Sequence, residues 1–89
     1  MIIDIKSKNE IKNFREVGKK TGKILEHLIK HCLPGWKPSD IDKIAREECQ
    51  KIGAKPAFLG YMGFPSSICF SKNNIMVHGI PDDEPIKAG

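Results

Sequence analysis

Hydrophobic positions in the first third of the chain recur every three or four residues. The series follows the tetrapeptide Ser7-Lys8-Asn9-Glu10 and comprises Ile11, Phe14, Val17, Thr21, Leu25, Leu28 and Cys32. Such spacing puts one apolar face on a helix. The S-x-x-E pattern is a capping box, in which the serine side chain and the glutamate side chain each accept a backbone N–H. We therefore predict a helix that starts after Ser7 and ends before Pro34-Gly35.

A second helical pattern begins at Pro38, a residue type that suits a first helical turn. Asp40 and Asp42 follow, where acidic side chains favour the positive end of the helix dipole. Its apolar face consists of Ile41, Ile44, Ala45, Cys49 and Ile52. Gly53 is the expected left-handed residue after the helix.

After Gly53 the pattern changes from helical spacing to short apolar runs. Residues 67–71 and 75–78 are predicted strands, joined by the turn signal Lys72-Asn73-Asn74, and residues 1–5 form a weak edge-strand pattern. The element order predicts an α+β fold with two helices against a small antiparallel sheet. An uncovered sheet edge pairs readily with another chain, so we expect self-association through that edge.

Composition and charge narrow the classes of function. A chain of 89 residues, 39% hydrophobic and 29% charged, is typical of one globular domain. Its apolar runs fall well short of the ~20 residues that span a membrane, and its net charge of +4 shows no dense basic stripe. Membrane insertion and nucleic-acid binding are therefore not expected. Three widely spaced cysteines without a CxxC pair favour reduced thiols and a cytoplasmic location.

Two segments in the second half carry a specific pattern. Residues 59–69 read LGYMGFPSSIC, residues 77–82 read VHGIPD, and an S-x-N turn begins at Ser71 between them. In this order and spacing the segments resemble the type I methionine aminopeptidases, members of the pita-bread metallopeptidase family. The resemblance extends over nearly the whole chain. It identifies residues 1–89 as the N-terminal portion of such a domain, incomplete because the C-terminal metal-ligand region is absent.

The resemblance implies a metal-dependent hydrolase that removes the initiator methionine, acting on N-terminal Met peptides or nascent polypeptides. The family uses two divalent metal ions held by two Asp, one His and two Glu. All five ligands are expected beyond Gly89, so no metal ligand is expected in this chain, and the 89 residues alone are predicted to be inactive. Two alternatives stay open: a truncated product, or a non-catalytic interaction module that reuses this part of the fold.

The resemblance also assigns roles to individual residues. His78 matches the catalytic histidine of the HGIP segment, which contacts the scissile amide. The predicted substrate-binding residues around the methionine side chain are Phe58, Tyr61, Met62, Phe64 and Cys69. Met62 stands where many members carry a histidine. Core packing is the alternative for Phe58 and Phe64. From the residues alone, His78 is better interpreted as a histidine at a strand end that is satisfied by backbone groups.

Overall fold

The structure, a computed structural model, describes residues 2–89. Within that range it contains two α-helices, α1 (Lys8–Ile29) and α2 (Pro38–Lys51), and a single 3₁₀ turn at Tyr61–Gly63. Turns and irregular segments make up the other described residues. Of the predicted α+β architecture, the helical part is therefore present.

The start of α1 is the predicted capping box. Ser7 Oγ accepts the Glu10 N–H at 3.1 Å, and Glu10 Oε1 accepts the Ser7 N–H at 3.1 Å. The backbone hydrogen bond from Ser7 is the main reason that the pKa of Glu10 lies below its ordinary value, and the bond to the Ser7 side chain adds to it. The predicted start is confirmed, while the helix ends at Ile29, several residues before Pro34.

The predicted second helix is also confirmed. Pro38 occupies the first turn, where its missing N–H leaves no helical hydrogen bond unmade. Asp40 lies in the same turn, close to the positive end of the helix dipole. Beyond Lys51 the chain turns through Gly53 at φ 69°, a left-handed conformation that glycine adopts without a Cβ penalty.

The core lies where the C-terminal part of α1 meets α2. Leu28, Ile41 and Ala45 are buried there. Partly buried side chains of both helices and of the segment 66–70 pack against them, namely Ile24, Ile44, Ile68 and Phe70. The N-terminal part of α1 leaves its apolar side chains exposed: Ile11, Phe14 and Val17. The segment 66–70 therefore packs against α2 and the C-terminal end of α1.

The predicted antiparallel sheet is wrong, because residues 2–89 contain no strand. One backbone hydrogen bond joins this region, from the Phe70 N–H to the carbonyl of Gly79, the residue after the second predicted run, at 2.8 Å. The Gly79 N–H instead donates to Ser71 Oγ at 3.0 Å, and His78 has φ 55°, which interrupts the extended backbone. A ladder needs repeated backbone pairs, and here only one forms.

The predicted edge strand at residues 1–5 is also wrong where it can be judged; Met1 lies outside the described residues. Ile2, Ile3 and Ile5 have no strand partner and are 94%, 81% and 86% exposed. Without a sheet, residues 2–89 also lack the sheet edge through which self-association was expected. Neither of the two helices has the length and apolar character needed to cross a lipid bilayer.

Candidate functional site

One cavity of about 530 Å³ lies between the loop 58–64 and the segments around residues 69 and 78. It brings together all six residues that the sequence analysis singled out for substrate binding or catalysis: Phe58, Tyr61, Met62, Phe64, Cys69 and His78. Gly63 and Ile80 complete the lining. Volumes of about 300–1,000 Å³ are typical of small-molecule sites.

The aromatic wall is presented by a tightly folded loop. The Gly60 N–H donates to the Phe64 carbonyl at 2.9 Å, and the Tyr61 N–H donates to the Phe58 carbonyl at 3.0 Å. Gly60 and Met62 both have positive φ, 82° and 48°. These reversals fold the loop back on itself, so side chains close in sequence surround one space. Met62 is 91% exposed, which leaves its thioether at the open side of the cavity.

The wall that carries Cys69 is anchored from α2. Asp42, only 5% exposed, accepts the Ser67 N–H at 2.7 Å and the Ile68 N–H at 3.0 Å through Oδ1. Arg46 donates to the other carboxylate oxygen at 2.9 Å and to Ser67 Oγ at 2.9 Å. Charge-assisted hydrogen bonds of this kind are stronger than neutral ones. The segment that leads into Cys69 is therefore held by a network that starts on a helix.

The third wall is the segment 78–80. His78 leaves the extended conformation at φ 55°, and the next residue, Gly79, is buried against the backbone of Phe70. A Cβ added at Gly79 would lie 2.2 Å from the Phe70 carbonyl oxygen, so only glycine permits this approach. A salt bridge closes the same loop farther out, from Lys72 Nζ to Asp82 Oδ1 at 2.8 Å.

The salt bridge between Lys72 and Asp82 favours the ionised form of the Asp82 carboxyl group. The hydrogen bond from Lys72 is the main cause of a pKa of Asp82 below its ordinary value, and the Glu84 N–H adds a second bond at 3.1 Å. Lys72 also reaches the Glu84 carbonyl at 3.2 Å. The turn that leads to His78 is thus tied to the residues that follow it.

The lining suits a ligand with an unbranched apolar side chain next to a polar group. Aromatic rings and the two sulfur-containing side chains, Met62 and Cys69, provide flat and polarisable contacts. His78 adds an imidazole to this lining, and either of its ring nitrogens is able to donate a hydrogen bond. The arrangement can therefore hold a hydrophobic side chain and present a proton donor beside it.

The possible metal-ligating side chains of this chain are those of His, Cys, Asp and Glu. Across residues 2–89 no group of three or more His, Cys, Asp or Glu side chains is placed to hold a metal ion. His27 lies in the last turn of α1 and His31 in the turn that follows, but their contacts are with protein groups: His27 Nε2 lies 3.6 Å from Glu48 Oε1, and His31 Nδ1 lies 2.9 Å from the His27 carbonyl. The described residues alone do not fit a dinuclear metal centre.

Some residues that shape the site were not singled out from the sequence. The sequence pattern indicates Asp42 only as an acid favoured by the helix dipole, and Ser71 only as part of a turn. The pair Asp42 and Arg46, spaced for contact on one helix face, was the available signal for the first. Ile80 follows His78 by two residues in the same matched segment, which was the available signal for its place in the lining.

Comparison with known proteins decides the family. Residues 12–89 match the model of Metallopeptidase family M24. The chain belongs to this family. Among M24 relatives, it is 40% identical over 89 residues to the methionine aminopeptidase of Helicobacter pylori, and 44% identical over 80 residues to that of Clostridium acetobutylicum. The first match covers 100% of this chain and 35% of the Helicobacter pylori protein. The second covers 90% of this chain and 32% of the Clostridium acetobutylicum protein.

Solved structures agree with this assignment. The methionine aminopeptidase of Rickettsia prowazekii superimposes with a TM-score of 0.95 at 33% identity, over 99% of this chain and 36% of that protein. The chain thus spans about a third of the length of the M24 relatives that it matches. The predicted membership of the pita-bread metallopeptidase family is confirmed.

Proposed function

We propose that the whole protein is a methionine aminopeptidase, and that the cavity in this chain is one side of its substrate site. The observation that carries the proposal is the convergence of Phe58, Tyr61, Met62, Phe64, Cys69 and His78 on one space of about 530 Å³. These residues come from three separate stretches of sequence. Core packing alone would not require them to line an open cavity with a histidine at its edge.

In this proposal the methionine side chain of the substrate lies against the rings of Phe58, Tyr61 and Phe64. A thioether makes favourable contacts with aromatic edges, each worth about 0.3–1.5 kcal/mol. An unbranched chain also fits between flat walls more readily than a β-branched one. The substrate class is therefore N-terminal Met peptides, including nascent polypeptides.

His78 is proposed to act at the first peptide bond of the bound substrate. Its imidazole either donates to the developing tetrahedral centre or protonates the leaving nitrogen. Both roles need a ring nitrogen beside the methionine pocket, where His78 lies in the lining. Three free cysteines in the chain fit a cytoplasmic setting for this activity.

The hydrolytic nucleophile is proposed to be a water molecule that two divalent metal ions would activate in the whole protein. M24 is a metallopeptidase family, and metal ions supply a nucleophilic water and polarise a carbonyl group. Because the described residues do not fit such a centre, we propose that its ligands lie outside these 89 residues. The 89 residues by themselves are then expected to bind substrate weakly and to hydrolyse nothing.

The test compares release of methionine from a Met-Ala-Ser peptide by the whole protein, with and without added divalent metal, and by the 89-residue chain. We expect metal-dependent release by the whole protein alone. Phe58→Ala should raise KM about tenfold, because one wall of the pocket is lost. The matched control is Phe14→Ala. Phe14 and Phe58 are exposed to a similar degree, 61% and 53%, but Phe14 lies on α1, outside this cavity.

His78→Asn tests the catalytic role separately. Asparagine tolerates left-handed φ, so the backbone at φ 55° should be kept while the imidazole is lost. We expect kcat to fall about 100-fold with KM little changed. His31→Asn, in the turn after α1 and outside the cavity, should leave both constants unchanged. Turnover without metal, or equal effects of the cavity variants and their controls, would contradict the proposed function.

A further inference from the structure

The peptide group that follows His78 is held by a side chain instead of by a strand partner. The Gly79 carbonyl accepts the Phe70 N–H at 2.8 Å, while the Gly79 N–H donates to Ser71 Oγ at 3.0 Å. Gly79 is buried, and a buried N–H without an acceptor is costly. The Ser71 hydroxyl therefore occupies the place that a backbone carbonyl would take in a regular hairpin.

This hydrogen bond restrains the peptide group next to His78. The Gly79 N–H and the His78 carbonyl belong to one planar peptide group, so holding the N–H also fixes the backbone dihedral ψ of His78. His78 has φ 55°, a conformation rarely adopted by residues other than glycine and kept only when the surroundings enforce it. Close packing of Gly79 on the Phe70 carbonyl restrains the segment from the other side.

We propose that Ser71 is a positioning residue for His78, an inference that rests on the proposed function. Ser71 does not line the cavity, so it has no direct contact with a substrate there. Its hydroxyl holds the His78–Gly79 peptide so that the imidazole projects into the cavity. Misplacing a reacting group by about 1 Å reduces rates by as much as about 100-fold, which sets the expected size of the effect.

The experiment uses the whole protein with Ser71→Ala, Ser71→Thr and the control Ser39→Ala. Ser39 Oγ also makes one side-chain hydrogen bond, to Asp83 Oδ1 at 2.5 Å, outside the cavity. With the Met-Ala-Ser peptide, we expect Ser71→Ala to lower kcat about 10- to 100-fold with KM within twofold of wild type. Ser71→Thr keeps the hydroxyl and should restore most of kcat, since residue 71 is exposed enough to accept a methyl group.

A second readout is independent of turnover. In NMR spectra of the whole protein, Ser71→Ala should shift the ring resonances of His78 and speed hydrogen exchange of the Gly79 amide at least about tenfold. Ser71→Thr and Ser39→Ala should change neither. Wild-type protein that releases no methionine would refute the proposed function, and the NMR comparison would then decide the role of Ser71 by itself.

Three results overturn the inference. One is a Ser71→Ala protein with the kcat of Ser39→Ala. Another is a Ser71→Ala protein with a lower kcat, a higher KM and a lower melting temperature, none of which Ser71→Thr restores. That result would indicate a purely structural role for Ser71. The third is an unchanged His78 ring spectrum together with unchanged Gly79 exchange in Ser71→Ala.

Discussion

Asp42 is the residue whose removal should damage the site most without touching the cavity. Its carboxylate is 5% exposed and accepts two backbone N–H groups of the segment before Cys69, at 2.7 and 3.0 Å. In Asp42→Ala the buried Ser67 N–H and the partly buried Ile68 N–H both lose their acceptor. Arg46 also loses its partner, but its side chain is 43% exposed and regains contact with water.

The magnitude follows from these contacts. Each hydrogen bond to a charged group contributes about 1.5–3 kcal/mol to the free energy of unfolding. The partly exposed ion pair with Arg46 adds about 1 kcal/mol or less. We therefore expect Asp42→Ala to lower the free energy of unfolding by about 4 kcal/mol, a large part of the 5–15 kcal/mol typical of a folded protein. Asp42→Asn keeps one acceptor oxygen for the two N–H groups and should cost about half as much.

The assay is urea unfolding of the whole protein, with Glu47→Ala as the matched control because Glu47 is an exposed acid on the same helix. If Asp42→Ala does not fold, the comparison of Asp42→Asn with Glu47→Ala still tests the reasoning. Cys69 should also react faster with a thiol reagent in Asp42→Asn, since its segment is less firmly held. Unfolding free energies of Asp42→Ala and Glu47→Ala within about 0.5 kcal/mol of each other would refute the role assigned to this network.

Three further changes test other parts of the structure. Ser7→Ala removes the helix cap that Ser7 and Glu10 form and should lower the unfolding free energy by about 1 kcal/mol in thermal denaturation. Gly79→Ala places a Cβ 2.2 Å from a backbone carbonyl oxygen and should cost about 3 kcal/mol, with loss of activity. Lys72→Met should raise the pKa of Asp82 in a carboxyl NMR titration. In the folded protein the pKa of Asp82 lies below its ordinary value of 3.8. The stabilisation by the Lys72–Asp82 pair is therefore present above pH 3.8 and is lost as the pH falls through the lowered pKa of Asp82. An unchanged titration of Asp82 would contradict the last prediction.

The failed prediction of a sheet has a physical explanation. The short apolar runs and β-branched residues in 67–71 and 75–78 indicate that these segments favour extended backbone. They do not report whether neighbouring N–H and carbonyl groups will face each other over several residues. In this chain the positive φ of His78 and the Ser71 hydroxyl divert the second pairing, so one backbone bond forms where a ladder was expected.

The residues that line the candidate site were more predictable from the sequence than the residues that support it. The family resemblance assigns roles to Phe58, Tyr61, Met62, Phe64, Cys69 and His78, and the structure brings these residues to one cavity. The supporting roles of Asp42 and Ser71 were not predictable from the sequence. Asp42 binds a segment that is distant in sequence, and Ser71 binds a backbone N–H, a group that every residue except proline carries. Asp42 meets Ser67 across 25 residues of chain.

Local sequence by itself determined where both helices begin, since a capping box and an N-terminal proline act within one turn of backbone. It also determined the family, because the motif spacing is specific. Tertiary structure alone decided that Asp42 is buried and that His78 adopts a left-handed backbone. Both outcomes depend on which distant groups come within hydrogen-bond reach once Leu28, Ile41 and Ala45 pack together, and no local pattern encodes that distance.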